Sequence, residues 1–168
     1  MQTIVPNLWF DTRAEEAATF WVEVFSGRIG AEGRAKSEIV NVSRYPQDAN
    51  KKKAGDVLTV DFQIEGQRFT AINGGPEFTF DEAVSFLVTC ESQEEIDELW
   101  DKLVEGGGEH GPCGWLKDRY GLSWQIVPSG MEETLNGPDK EGSKRAFAAM
   151  MLMGKIDIAE LQRAYGGK

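Results

Sequence analysis

Side chains suited to acid-base, nucleophilic or metal chemistry are scarce in this sequence of 168 residues. Its single histidine, His110, lies among glycines and is interpreted as an exposed loop residue, although imidazole is the side chain that titrates near neutral pH. The two cysteines, Cys90 and Cys113, are too few for a disulfide framework and lack the CxxC spacing of a zinc or redox site. We interpret both as reduced thiols, of which Cys113 is the better candidate for reactivity.

Aromatic, amide and hydroxyl side chains are concentrated in the stretch GPCGWLKDRYGLSWQIVPSG, residues 111–130. Two β-favouring runs flank a turn at 118–121, which predicts a β-hairpin. Because successive side chains of a strand point to opposite faces, Ser123 and Gln125 share one face and Trp124 lies on the other. The concentration of such side chains on one hairpin suggests that the hairpin lines a site.

The first half of the chain has the pattern of a strand, a helix and three further strands. Residues 4–10 form an apolar, β-favouring run, and Thr12-Arg13-Ala14-Glu15 has the pattern of a capping box at a helix start. Apolar residues then recur at helical spacing as far as Gly27, where we expect the helix to end. The strands predicted after this helix are 37–44, 56–64 and 68–73.

The second half repeats this order. A strand at 84–90 precedes a second capping box, Ser92-Gln93-Glu94-Glu95, and the following helix is predicted to end in the glycines at 106–108. The hairpin at 115–127 then takes the place of the strands that close the first half. This recurrence indicates a duplicated unit.

The segment beyond Pro128 departs from the repeat. Two helices are predicted there, at 140–153 and 157–165. The first carries a stripe of methionine and aromatic residues, which is typical of a core or a subunit interface.

The charge balance restricts the kinds of partner. The formal net charge is −10, and no basic cluster is longer than the three lysines at 51–53, so nucleic acid and anionic membranes are unexpected partners. The N-terminal residues lack the pattern of a secretory signal, and no segment is long and apolar enough for a membrane span. We therefore expect a cytosolic protein.

Four separated motifs carry a resemblance to a known family. They are INGGP at 72–76, SFLVTCESQEEIDELW at 85–100, CGWLKDRYGLSWQIVP at 113–128 and AFAAMMLMGKIDIAELQRA at 146–164. Together with the repeated units, these motifs resemble the PhnB-like branch of the vicinal oxygen chelate superfamily, which includes glyoxalases, dioxygenases and bleomycin-resistance proteins. Members of this branch often bear the label 3-demethylubiquinone-9 3-methyltransferase.

The resemblance implies an α+β fold in which two βαβββ modules form a curved mixed sheet around a cleft, followed by C-terminal helices. It implies one glyoxalase-like domain, with module one at about 1–77, module two at about 82–130 and a helical tail at about 131–168. It also implies a homodimer.

Enzymes of the superfamily hold a divalent metal at positions that correspond here to Val5, Ala71, Ser85 and Gln125. Zinc and related ions favour imidazole, thiolate or carboxylate ligands, and a catalytic site usually has about three of them. Valine and alanine offer no ligand atom, and serine and glutamine are poor ligands. We therefore predict a cleft without a metal or any other cofactor.

Alternation along the strands extends the predicted cleft lining to the neighbours of those four positions. The complete predicted ligand-binding set is Val5, Asn7, Trp9, Phe69, Ala71, Asn73, Ser85, Leu87, Ser123 and Gln125. This lining is largely apolar with a few amides and hydroxyls, which suits a small, flat or aromatic organic ligand.

The sequence leaves several functions open. We favour a homodimeric protein that binds a small organic molecule, with no assigned reaction. The alternatives are the quinone methyltransferase that the family label implies, a metal-dependent lyase, and a drug-sequestering protein of the bleomycin-resistance type. The glycines lie at helix ends rather than in a glycine-rich turn at a helix start, which argues against a methyltransferase of the doubly wound type.

Overall fold

A computed structural model describes residues 3–49 and 51–167 of the chain. The chain divides into two compact units, Met1–Phe80 and Asp81–Lys168. Each unit contains a four-stranded mixed sheet with a helix of 12 or 13 residues between its first and second strands. The predicted α+β fold of two βαβββ modules with C-terminal helices is therefore confirmed, with the strands in two separate sheets.

In the first unit, the strand at the chain's start pairs in parallel with the last strand of the unit, and the other pairings are antiparallel. The sheet order is β1-β4-β3-β2. The elements are β1 Asn7–Phe10, α1 Ala14–Ser26, β2 Glu38–Arg44, β3 Val57–Ile64 and β4 Gln67–Asn73.

The core of the first unit lies between α1 and one face of this sheet. Trp21 of α1 is fully buried and its ring stacks on Phe62 of β3 with centroids 5.7 Å apart. Phe62 in turn stacks on Phe69 of β4 at 5.2 Å. Burial of aromatic side chains of this size contributes roughly 2–3 kcal/mol each, so this row largely fixes the helix on the sheet.

The start of α1 differs from the prediction. The N-cap residue is Arg13, which makes no capping hydrogen bond with its side chain, so the predicted capping box at Thr12 is wrong. The helix is capped instead by Asn73, whose Oδ1 accepts a hydrogen bond from the Ala14 N–H at 2.9 Å. A tertiary contact has replaced the local one.

The second unit repeats the arrangement, with sheet order β5-β8-β7-β6 and a parallel β5-β8 pair. Its first helix begins as predicted: Ser92 accepts a hydrogen bond from the Glu95 N–H, and the Glu95 carboxylate accepts one from the Glu91 N–H. The elements are β5 Ser85–Cys90, α2 Gln93–Val104, β6 Glu109–His110, β7 Trp115–Lys117, β8 Ser123–Pro128, α3 Met131–Asn136, α4 Lys140–Met150 and α5 Ile158–Gly166.

The three C-terminal helices pack around a small apolar cluster of their own. Met150, Ile156 and Leu161 are buried there, and Met131 and Leu135 of α3 pack against them. The sequence predicted α4 and α5 but not the short helix α3 or the two-residue strand β6. Within the described ranges, none of the helices has both the length and the apolar character needed to cross a bilayer.

Candidate functional site

The second sheet has one face covered by α2 and one face that carries the predicted site residues. Leu116, Trp124 and Ile126 are buried on the α2 side. The side chains between them point the other way, so Ser85 lies beside Ser123 and Leu87 lies beside Gln125. These four predicted residues of the second module therefore share a face, which we call the open face.

The open face forms one wall of a groove of about 620 Å³, and α3 forms another. We call this the α3 groove. Its apolar lining is contributed by Leu87, Trp115, Val127, Met131, Leu135 and Met150, and its polar lining includes Thr89, Gln125, Glu132, Glu133 and Asn136. The sequence prediction included Leu87 and Gln125 but missed every residue that α3 contributes.

Helix α3 is positioned by the chain's exit from β8. Gly130 adopts φ 74°, a left-handed conformation that glycine tolerates without strain, and it serves as the N-cap of α3. Glu132 and Glu133 follow in the first turn, where carboxylates are favoured by the helix dipole. The break Pro128-Ser129-Gly130 before two acidic residues is thus the sequence signal from which this helix could have been predicted.

Gln125 is the central polar group of the groove. Its Nε2 donates to Ser85 Oγ at 2.8 Å, which orients the amide across the open face. Among residues 3–49 and 51–167, no donor bonds to Gln125 Oε1, so that oxygen can accept a hydrogen bond from a bound molecule.

A second cavity of about 400 Å³ adjoins the α3 groove, because Cys113 and Trp115 line both. We call it the Glu109 cavity. Its polar lining comprises Glu82, Glu109, His110, Lys117 and Ser123.

Charge pairing is uneven in the Glu109 cavity. Lys117 forms a salt bridge with Glu82. This hydrogen-bonded pair lowers the pKa of Glu82 and raises the pKa of Lys117. Glu109 interacts electrostatically with Lys117, but no hydrogen bond or salt bridge joins Glu109 to another residue of the described part of the chain.

Ser123 is the most buried polar residue of the predicted set. It is 1% exposed, and its Oγ has no hydrogen-bond partner among the described residues. An unpaired buried hydroxyl costs of order 1–3 kcal/mol relative to a paired one. The residue lies in the wall of the Glu109 cavity, so folding has left an unused hydrogen-bonding group at the edge of this site.

His110 is held at the edge of the cavity. Its ring stacks on Trp100 of α2, with centroids 4.6 Å apart and planes 6° from parallel, and Nε2 lies 3.0 Å from the Trp100 carbonyl oxygen. It is exposed as predicted, but it belongs to strand β6 rather than to a free loop.

Cys113 is placed by an unusual backbone. Both Cys113 and the next residue, Gly114, have positive φ, at 56° and 82°, and their N–H groups donate to the carbonyls of Met153 and Gly154. The Cys113 Sγ lies 3.6 Å from the Met150 carbonyl oxygen. The tail thus holds this half-buried thiol at the boundary between the two cavities.

The first unit corrects three of the predicted site residues. Phe69, Ala71 and Asn73 are buried on the face that α1 covers, so their predicted alignment with Asn7 and Trp9 is wrong. The reason is the register, in which Asn7 lies beside Thr70 and Trp9 beside Ile72. The β4 residues that share a face with Asn7 and Trp9 are therefore Thr70 and Ile72.

The other predicted residues of the first unit lie away from α1. Val5 precedes β1 and is exposed, as is Asn7. Trp9 is half-buried; its Nε1 donates to the Gly75 carbonyl at 2.8 Å, and its ring contacts Phe78 edge-on. The indole is therefore engaged by the segment that follows β4.

The donor atoms do not fit the metal of the superfamily. Val5 and Ala71 have no ligand atom, Ala71 also faces α1, and the alternatives on β4 are a threonine and an isoleucine. Ser85 and Gln125 are bonded to each other. Within the described residues, no group of three or more histidine, cysteine or carboxylate side chains could hold an ion. No step of the chemistry is therefore assigned to a metal.

Comparisons with known proteins define the family. The family model described as 3-demethylubiquinone-9 3-methyltransferase matches residues 2–127. The PhnB protein of Bacillus cereus, which carries the same methyltransferase name, is 36% identical, covers 76% of this chain and 100% of its own, and has a TM-score of 0.62. The chain therefore belongs to the 3-demethylubiquinone-9 3-methyltransferase family, in the PhnB-like branch of the vicinal oxygen chelate superfamily.

More distant structures share the fold alone. Protein PA1353 from Pseudomonas aeruginosa is 18% identical, with 76% of this chain and 98% of that chain covered and a TM-score of 0.58. The fosfomycin resistance protein FosX from Listeria monocytogenes is 15% identical, with 79% and 97% covered and a TM-score of 0.52. No curated protein matches the chain significantly.

Proposed function

We propose that this protein binds a small, flat organic molecule in the α3 groove without the help of a metal. The observation that carries the proposal is the groove itself, with a volume of about 620 Å³, which lies within the range of small-molecule sites.

The lining supports an aromatic or otherwise flat ligand. Leu87 and Val127 form an apolar floor on the open face, Trp115 stands beside them, and Met131 and Leu135 supply flexible and branched contacts from α3. Methionine adapts its shape to different ligands, and tryptophan offers a large contact area at low entropic cost. A ligand in such a lining is bound mainly through burial of its apolar surface.

Polar groups would orient the ligand. The Oε1 of Gln125 is an acceptor without a donor among the described residues, and it lies in the groove wall. A ligand N–H or O–H pointed at this oxygen would be bound more strongly than one without a donor, since an unsatisfied amide oxygen is costly once water is excluded.

The experiment uses 1-naphthalenemethanol, a neutral aromatic alcohol, as the probe. Binding is followed by isothermal titration and by the indole N–H resonance of Trp115 in a nitrogen-15 spectrum. The variant L87R places a charged side chain on the groove floor and should abolish binding, because Leu87 lines the groove.

Val84 provides the matched control for this experiment. It is 64% exposed, close to the 58% of Leu87, and it lines neither cavity. V84R should bind the alcohol as the wild type does. Equal binding by L87R and the wild type, or no binding by the wild type, would contradict the proposal. Elemental analysis of the purified protein tests the proposal that binding needs no metal. A stoichiometric amount of bound metal would overturn it.

The family match favours one further candidate, methyl transfer to a quinone-type hydroxyl. This reaction moves a methyl group from S-adenosylmethionine to the hydroxyl oxygen, which loses its proton, and leaves S-adenosylhomocysteine. Titration with S-adenosylmethionine tests it directly. Tight binding of S-adenosylmethionine would support methyl transfer. If millimolar S-adenosylmethionine gives no heat of binding, methyl transfer is contradicted and only the small-molecule-binding function remains.

We also propose that the protein acts as a homodimer in the cytosol. Phe147, Met151 and Leu152 are exposed at and after the end of α4, and Leu152 is 91% exposed. Exposed apolar side chains that lie together in sequence are typical of subunit contacts. Light scattering after size exclusion should give twice the mass of one chain for the wild type, and a lower mass for L152E. A wild type with the mass of one chain would contradict the homodimer.

A further inference from the structure

The two adjoining cavities carry a strong excess of carboxylates. Glu132 and Glu133 line the α3 groove, and Glu82 and Glu109 line the Glu109 cavity, whereas Lys117 is the one lysine or arginine that the described residues contribute to either lining. Leaving His110 aside, four carboxylates and one ammonium group give a formal charge of −3 around the site. An anionic ligand would be repelled, and a cation would be attracted.

We propose that the natural ligand is an organic cation: an aromatic body in the α3 groove with an ammonium group in the Glu109 cavity, bound at Glu109 and Ser123. This inference rests on the proposed function, since it assigns the chemical class of the molecule that the groove would hold.

Glu109 is the carboxylate best placed to receive a new cation. Glu82 already forms a salt bridge with Lys117. Glu109 lies opposite Lys117 in the β6-β7 pair and interacts with it electrostatically, but it forms no hydrogen bond or salt bridge within the described part of the chain. It is exposed at the sheet edge, so a ligand can approach it without first breaking an existing pair.

Ser123 supplies the second, independent observation. It is 1% exposed, it lines the same cavity, and its Oγ is left without a hydrogen-bond partner among the described residues. An ammonium group has three N–H donors and no acceptor. It can donate to the carboxylate of Glu109, which has no salt bridge, and to the serine oxygen, which has no hydrogen-bond partner among the described residues.

Trp115 connects the two parts of the site. It lines both the α3 groove and the Glu109 cavity, so the cavities adjoin at its side chain. An indole ring also attracts a cation over its face. A single elongated molecule can therefore place its aromatic body on one side of Trp115 and its charged end on the other.

Three probes with one aromatic body separate charge from shape. They are 1-naphthylmethylamine, which is a cation at neutral pH, the neutral 1-naphthalenemethanol, and the anion 1-naphthoate. Titrations of the full chain at low and at high salt should show the amine binding at least about fivefold more tightly than the alcohol, and the anion most weakly. The preference should shrink as salt increases.

Two variants and a matched control locate the charge. E109Q keeps the shape of the side chain, and this variant should bind the amine no more tightly than it binds the alcohol. E105Q is the matched control, because Glu105 is also exposed but lines neither cavity, and it should keep the preference of the wild type. S123A should weaken binding of the amine by a factor of about three and leave binding of the alcohol unchanged.

The outcomes distinguish this inference from the proposed function. If the alcohol binds in an L87R-sensitive way and the amine binds no better, the inference is wrong and the proposed function stands. If the amine preference survives in E109Q, or falls equally in E105Q, the assigned position is wrong. If none of the three probes binds the wild type, both are wrong.

Discussion

Asn73, the last residue of β4, caps helix α1 from outside that helix, with its Oδ1 2.9 Å from the N atom of Ala14. Its Nδ2 donates to the Val57 carbonyl oxygen at 3.1 Å, and its own carbonyl oxygen accepts from the Tyr45 hydroxyl at 2.8 Å. The residue predicted to contact a ligand therefore joins helix α1 to Val57 and Tyr45.

Removal of this amide should destabilise the protein. N73A leaves the Ala14 N–H and the Val57 carbonyl without their side-chain partner, so we expect the free energy of unfolding to fall by about 2–3 kcal/mol. The control is Asn41, which is exposed on β2. The variant N41A should change the free energy of unfolding by less than about 0.5 kcal/mol. Urea denaturation measures both. Equal stability of the two variants would show that the cap contributes little.

The two capping boxes of the sequence give opposite predictions. S92A removes the oxygen that accepts from the Glu95 N–H and should cost about 1 kcal/mol. T12A should cost almost nothing, because α1 begins after Thr12 and is capped by Asn73. Thermal and urea unfolding of S92A and T12A measure the two losses of stability. A larger loss in T12A than in S92A would contradict the structure.

The turn of the second hairpin depends on one buried carboxylate. Asp118 Oδ1 accepts from the N–H groups of Tyr120 and Leu122 at 2.9 and 3.1 Å, and Oδ2 accepts from Trp124 Nε1 at 2.9 Å. D118A should therefore lower the free energy of unfolding by about 3 kcal/mol, and D118N by less, since the amide keeps one acceptor. The exposed Asp101 of α2 is the control, and D101A should be nearly neutral.

Ser123 should behave in the opposite way to Ser92. Its hydroxyl is buried and has no partner among the described residues, so S123A removes an unsatisfied group and should leave the protein as stable as the wild type or up to about 1 kcal/mol more stable. Chemical denaturation of S123A and S92A in parallel tests this. A loss of more than about 1 kcal/mol in S123A would mean that the hydroxyl has a bonding role.

The salt bridge in the Glu109 cavity predicts a pH dependence. The hydrogen bond from Lys117 lowers the pKa of Glu82, so this pair stabilises the folded state fully above the ordinary glutamate pKa and loses its effect as the pH falls through the lowered pKa. The raised pKa of Lys117 places the upper limit above the ordinary lysine range. Carbon-13 titration of the Glu82 carboxyl should show a higher pKa in K117M than in the wild type; an unchanged pKa would contradict the pairing.

Much of the site could be predicted on the second module but not on the first. Residues 115–127 form a hairpin whose turn and alternation are local properties, and Ser123, Gln125, Ser85 and Leu87 do share a face. On β4 the same reasoning placed Phe69, Ala71 and Asn73 on the wrong face. Alternation shows which residues share a side, but it does not show which side a helix covers, and an offset of one residue reverses the assignment.

The sequence by itself determined the order of the longer elements, the repeat of strand, helix and strands, and the family, because periodicity, turn residues and motifs are properties of short segments. Tertiary structure alone decided which face of β4 lies under α1, that Asn73 rather than Thr12 caps this helix, and that α3 forms a wall of the groove. These features depend on packing between residues far apart in sequence. The aromatic row from Trp21 through Phe62 fixes Phe69 on the covered face, and no local pattern contains that contact.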